Sequence, residues 1–146
     1  MPNVGAPSQD RGKFVARFNC PSSRMTVIIE DDGRVAYAYL LNGEGQIRGD
    51  VWLYNRCQTP ADPEWHDQTN APFANPATFV NEVPSFRAPD SIEDFFVKWD
   101  EAGQRDVAEI YLFDEYFAKL KDGAQPGWSL LAAKDGPLAR VLREPG

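Results

Sequence analysis

Residues 25–55 read MTVIIEDDGRVAYAYLLNGEGQIRGDVWLYN, and the fold turns on how this stretch is read. Asp32-Gly33 and Asn42-Gly43-Glu44-Gly45 interrupt three runs rich in β-branched and aromatic residues. Asp-Gly and Asn-Gly supply the positive φ angles that tight hairpin turns need. The stretch therefore predicts a three-stranded antiparallel meander. A two-residue turn at Asp32-Gly33 and a four-residue turn at 42–45 set its register, because strand side chains alternate between faces. One face then carries Val27, Ile29, Ala36, Ala38, Leu40, Ile47, Val51 and Leu53. The other carries Ile28, Val35, Tyr37, Tyr39, Arg48, Asp50, Trp52 and Tyr54. In this register Tyr37 lies opposite Asp50, Tyr39 opposite Arg48, and Val35 opposite Trp52. The aliphatic face reads as core. The aromatic and charged face reads either as a binding surface or as a second face under a loop.

Outside the meander, residues 13–19 alternate Phe14, Ala16 and Phe18 with Val15 and Arg17, predicting a first strand that ends near Pro21. Residues 56–89 hold six of the twelve prolines together with Trp65, Phe73, Phe79 and Phe86. Large rings are costly to leave in water, so this segment is expected to be a long ordered loop anchored by them. A short strand or helical turn is expected at 78–83. Residues 91–102 are expected to form the main amphipathic helix. Ser91–Asp94 resembles a capping box, Ile92, Phe95, Phe96 and Trp99 form an i, i+3, i+4, i+7 stripe, and Gly103 is a natural stop. Ala36 and Ala38 leave room for that stripe on the aliphatic face. Further strands are expected at 107–113 and 128–133, and a short helix at 138–142 after Pro137. Residues 115–121 suit strand or helix, with strand preferred. The predicted class is α+β: a mostly antiparallel twisted sheet built on the meander, one helix at 91–102 packed on it, and the proline-rich loop.

The 146 residues, 42% hydrophobic, fit one globular domain at 13–146 behind a flexible tail at 1–12. No apolar run approaches the roughly 20 residues of a membrane-spanning helix, so no membrane partner is expected. Residues 1–11 lack the basic and apolar regions of a signal peptide. Cys20 and Cys57 are accordingly expected to be reduced thiols, and the location cytoplasmic. Net charge is −7, and residues 90–115 carry nine acids against two bases, which also sums to −7. Such a surface repels phosphate, so no direct nucleic-acid contact is expected. Asp90, Glu93, Asp94, Asp100 and Glu101 read as a solvated face or as a docking patch for a basic protein.

No catalytic signature stands out. Cys57, His66 and Asp67 are the residue types of a nucleophile–base–orienter set, but the local signatures of cysteine hydrolases are absent. Their bland reading is a half-buried thiol and a surface loop. Paired close-spaced ligands are missing, so neither metal nor cofactor is expected. The candidate binding residues are Tyr37, Tyr39, Arg48, Asp50, Trp52 and Tyr54, since Tyr, Trp and Arg dominate interface energetics. Three readings follow. The chain is a protein-binding or accessory module, in one form a neutraliser of a toxic basic protein. Alternatively it binds or transforms a small molecule in a cleft between the aromatic face and residues 56–89. The third reading makes the aromatic face a homodimer interface, the chain otherwise being a monomer.

Overall fold

The computed structural model describes residues 13–100 and 107–143, so the tail expected at 1–12 lies outside the described residues. Two sheets dominate. The first is an antiparallel meander of β1 (Lys13–Asn19), β2 (Thr26–Asp32), β3 (Val35–Leu41) and β4 (Ile47–Asn55), in that spatial order. The second contains β5 (Phe95–Trp99), β6 (Val107–Leu112), β7 (Glu115–Lys121), β8 (Trp128–Ser129) and β9 (Arg140–Val141), again in sequence order. Its neighbours are antiparallel except β8 and β9, which run parallel.

The expected α+β class is overturned. Among the described residues the helical elements are three single 3-10 turns, at Gln68–Asn70, Ala77–Phe79 and Ile92–Asp94. Ser91 does cap the last of these, accepting the Glu93 N–H at 3.0 Å. The chain then leaves the helical path. Phe95, Val97 and Trp99 pack toward the core, whereas Phe96 and Lys98 point outward. An apolar run this short satisfies period 2 as well as period 3.6. Aromatic and β-branched residues favour the pleated state, and β6 supplies the partner through pairs such as Phe95–Leu112 and Val97–Ile110. The expected 138–142 helix is likewise absent: Arg140–Val141 pairs with β8 instead. The 128–133 strand shortens to Trp128–Ser129, while 115–121 is strand β7.

The meander exists, with a different register. Gly33 (φ +90°) and Arg34 make the first turn, and the Asp32 carboxylate accepts the N–H groups of Arg34 (2.8 Å) and Val35 (3.0 Å). A glycine with positive φ at the first turn position is the pattern of type II′ hairpins. Two irregularities follow in β3–β4, between Ala36 and Tyr37 and between Leu40 and Leu41. Tyr37 therefore faces Trp52 and Tyr39 faces Asp50, while Val35 meets Asn55. Beyond the first irregularity Tyr54 stands opposite Ala36, on the inner face.

The inner rows are Phe14–Asp31–Ala36–Tyr54, Ala16–Ile29–Ala38–Val51 and Phe18–Val27–Leu40–Gly49. Phe95, Ile110, Leu112, Phe117, Ala118 and Leu120 belong to the same buried cluster. The aliphatic face is thus covered by a second sheet rather than by a helix, except for Ile47, which the irregularity at Leu40/Leu41 leaves exposed at the end of β4. The Ser129 hydroxyl donates to the Leu53 carbonyl across the interface. Gly127 allows close approach there: its N–H reaches the Asp50 carbonyl at 2.6 Å, and a Cβ would sit 2.4 Å from the Lys119 carbonyl.

Residues 56–89 are tied down along their length. Phe86 packs on Tyr54 and Phe117, at ring separations of 5.7 and 5.9 Å. Asn81 N–H donates to the Leu131 carbonyl, and the Phe79 carbonyl accepts from Ala133 N–H. Arg34 pairs with Glu64. No helix among the described residues is long and apolar enough to cross a membrane.

Candidate functional site

The outer face of the first sheet is assembled from Tyr37, Tyr39, Asp50 and Trp52, through the cross-strand pairs Tyr37–Trp52 and Tyr39–Asp50. Two segments wall it. The Tyr37 hydroxyl donates to the Phe73 carbonyl at 2.7 Å, and the Trp52 backbone N–H donates to the Leu138 carbonyl at 2.9 Å. Between these walls lies a cavity of about 200 Å³, lined by Tyr37, Tyr39, Asp50, Ala71, Pro72, Phe73, Pro137 and Leu138. The Tyr37 and Tyr39 rings lie 12° from parallel with centroids 6.1 Å apart, which stiffens the aromatic floor.

Asp50 gives this pocket its chemistry. It is half-buried, and among the described residues its carboxylate has neither hydrogen-bond partner nor counter-ion. Loss of water raises its pKa above the ordinary aspartate value. Burial, followed by the charges of Glu30, Asp50 and Asp32, pushes the Tyr39 hydroxyl up to about 12. Tyr37 is raised as well, chiefly by burial. Both phenols therefore remain neutral at physiological pH. A desolvated carboxylate beside aromatic rings gains most from a cation, which restores the missing counter-charge and meets the negative face of a ring.

The six candidate binding residues separate in the structure. Tyr37, Tyr39 and Asp50 line the pocket. Trp52 is fully buried beneath the loops, its indole N–H given to Asn55 Oδ1 at 2.9 Å. Tyr54 faces the other way, into the core, and is also fully buried. Neither ring can therefore meet a second copy of the chain. Arg48 sits at the exposed end of β4, paired with Asp122 at 2.6 Å. The pocket also uses Pro72, Pro137 and Leu138, which sequence reasoning did not assign to it. Phe73 is one of the rings the sequence marks as needing cover, whereas the sequence pattern places Leu138 on a helix that the structure lacks.

The catalytic candidates each sit in their own surroundings. The Cys57 thiol is raised by burial, with Arg34 opposing and Glu64 reinforcing the shift. His66 is exposed. The Asp67 carboxylate is taken up by the Thr69 backbone N–H (3.1 Å) and hydroxyl (2.7 Å), which hold its pKa down. No hydrogen bond joins Cys57, His66 and Asp67 among the described residues. Nor do the described residues contain a His/Cys/Asp/Glu group suited to hold a metal.

The acidic segment divides between two ends of β5. Glu93 and Asp94 precede the strand, and the Asp94 carbonyl accepts the Phe113 N–H at 2.9 Å, bringing the Asp114–Glu115 turn alongside. Asp90 lies just upstream. Asp100 follows the strand, roughly 20 Å from Asp94 at about 3.3 Å per residue. Glu101 lies outside the described residues.

Comparisons with protein-family models, curated proteins and solved structures found no match to this chain.

Proposed function

We propose that the chain is a binding module that captures a basic protein partner by seating one lysine or arginine side chain between Tyr39 and Asp50. The observation that carries this reading is the Asp50 carboxylate: half-buried, unpaired among the described residues, and flanked by stacked tyrosines in a walled pocket. A guanidinium or ammonium entering there exchanges water for a carboxylate and an aromatic face, and Pro72, Phe73, Pro137 and Leu138 contact the alkyl stem. Arginine fits better than lysine, because its plane can lie on a ring while its fork meets the carboxylate. The overall charge of −7 adds long-range steering of a basic partner. The setting is cytoplasmic in this reading, supported by two cysteines that are both free thiols.

The test is an NMR titration with N-acetyl-arginine amide, with N-acetyl-glutamine amide as the neutral control. Saturable shifts confined to Tyr37, Tyr39, Asp50, Phe73 and Leu138, lost in Asp50→Asn, support the proposal. Equal shifts with the neutral control, or an unchanged response in Asp50→Asn, overturn it.

A further inference from the structure

The outer face of the second sheet has an organisation unrelated to the Asp50 pocket. Pairing across β5–β6–β7–β8–β9 aligns Lys98, Glu109, Lys119, Trp128 and Arg140 in one row. The adjacent row is Phe96–Tyr111–Tyr116. Phe96 stacks on Tyr111 with centroids 4.7 Å apart and planes 6° from parallel, and Tyr111 contacts Tyr116 at 5.5 Å. This aromatic row stops at Tyr116, because β8 is only two residues long and contributes no further ring. One face of Tyr116 is thus covered by Tyr111, and where the row ends a cavity of about 310 Å³ opens. Tyr116, Trp128, Lys119, Arg143, Val141 and Leu142 form most of its lining, and Glu109 completes it.

The cations here are held by a ring rather than by carboxylates. Lys119 Nζ lies 5.0 Å from the Trp128 centroid and Arg140 Cζ lies 5.1 Å from it. Among the described residues Lys119, Arg140 and Arg143 form no ion pair, although Glu109 stands directly opposite Lys119. Among the described residues the cavity lining therefore sets two positive groups without an ion-pair partner, Lys119 and Arg143, against the single carboxylate of Glu109, beside the half-buried Tyr116 ring. Such an arrangement is complementary to a ligand with one negative group and one planar ring. The volume falls at the lower end of the range for small-ligand sites, which limits the occupant to about one nucleotide unit.

We infer that this cavity binds a nucleotide, its base stacked on the free face of Tyr116 and its phosphate held by Lys119 and Arg143. Overall charge argued against phosphate contact, but a local cationic face with an aromatic platform is the combination that binds single nucleotide units. The nucleotide arrives either free or as one unit of a single strand. Both sources present the same base and phosphate to the cavity.

Adenosine monophosphate, adenosine, inorganic phosphate and an oligo(dT) 6-mer are titrated against the full chain, followed by amide chemical shifts. Saturable binding of the monophosphate, at least about tenfold tighter than adenosine or phosphate alone, is expected, because stack and charge act together. Tyr116→Ala and Lys119→Gln each weaken it by about tenfold or more, while Asp50→Asn leaves it unchanged. Circular dichroism confirms that each variant is folded. Tyr116→Phe, which keeps the stack, retains binding and distinguishes lost stacking from disturbed structure. Tighter binding of the 6-mer at the same residues assigns the nucleotide to a strand, and equal or weaker binding assigns it to the free form. Either result supports the proposal. Phosphate binding as tightly as the monophosphate, shifts mapping elsewhere, or no saturable binding overturns it.

Discussion

The Tyr54 hydroxyl donates to Asp31 Oδ2 at 2.6 Å, joining the end of β2 to a ring that the expected register put on the aromatic outer face. The Asp31 side chain is completely buried. Its oxygens also accept from Gly33 N–H at 2.9 Å and from Arg56 Nη2 at 2.8 Å, and Arg56 in turn donates to the Pro89 carbonyl. One carboxylate thus ties the first hairpin, the last meander strand and the far end of the 56–89 loop together. A buried charge so fully partnered is structural rather than poised for chemistry.

Removing one donor at a time should rank these partners. Tyr54→Phe is expected to cost about 1–3 kcal/mol, because a buried charged acceptor loses one donor. Arg56→Met leaves the buried carboxylate without its counter-charge, and about 3–5 kcal/mol is expected. Urea denaturation of both variants checks this. A larger loss in Tyr54→Phe than in Arg56→Met would contradict the assignment.

Phe95 and Phe96 distinguish strand from helix. In a helical stripe both rings would be buried together. In the strand, Phe95 is 5% exposed and Phe96 46% exposed. Phe95→Ala is expected to cost about 3–5 kcal/mol. Phe96→Ala should lose about 0.5–1.5 kcal/mol, mainly its stack on Tyr111. Thermal unfolding of the two variants provides the comparison, and equal losses would favour the helix.

Asp50 sets a pH dependence with a definite sign. Its folded pKa lies above the ordinary value of 3.8, so the folded chain holds this proton more tightly than the unfolded chain. The contribution to stability is complete below pH 3.8 and is lost as pH rises through the raised folded value. Asp50→Asn removes that loss, so the variant should be slightly more stable than wild type at neutral pH and the difference should vanish in acid. Cation binding should follow the opposite course and strengthen as pH rises and Asp50 ionises. Differential denaturation and arginine-amide titration between pH 3 and 7, spanning the ordinary aspartate value, test both halves.

Cys57 should be a slow thiol. Burial raises its pKa, so less thiolate is present at pH 7 than for a free cysteine. Alkylation by iodoacetamide is expected to be slower than for glutathione in the same buffer, and His66→Ala should leave the rate unchanged. A faster rate that depends on His66 would revive the nucleophile–base reading.

The Tyr39–Asp50 neighbourhood was partly legible in the sequence, since period-2 alternation puts both residues on one meander face whichever even shift the register takes. That is why Tyr37, Tyr39 and Asp50 stayed together when the β3–β4 pairing moved by two positions, from Tyr37–Asp50 and Tyr39–Arg48 to Tyr37–Trp52 and Tyr39–Asp50. Tyr54 was lost from the set because a bulge inserts one residue and reverses the alternation beyond it. Leu138 and Pro137 were out of reach: the carbonyl that meets the Trp52 N–H comes from a segment more than eighty residues away in the chain.

By itself, the sequence determined what short-range chemistry controls: the hairpin turns at Gly33 and 42–45, the aliphatic meander face, the Ser91 cap and the aromatic character of the outer face. Tertiary structure alone decided whether Phe95–Trp99 became helix or strand, because both periods fit five residues and only pairing with β6 separates them. It also decided which aromatic rings were covered. Trp52 and Tyr39 share a face and are both aromatic, but the carbonyl groups of Phe73 and Leu138 fall where hydrogen bonds close the loops over Trp52 and leave Asp50 beside Tyr39 with an opening.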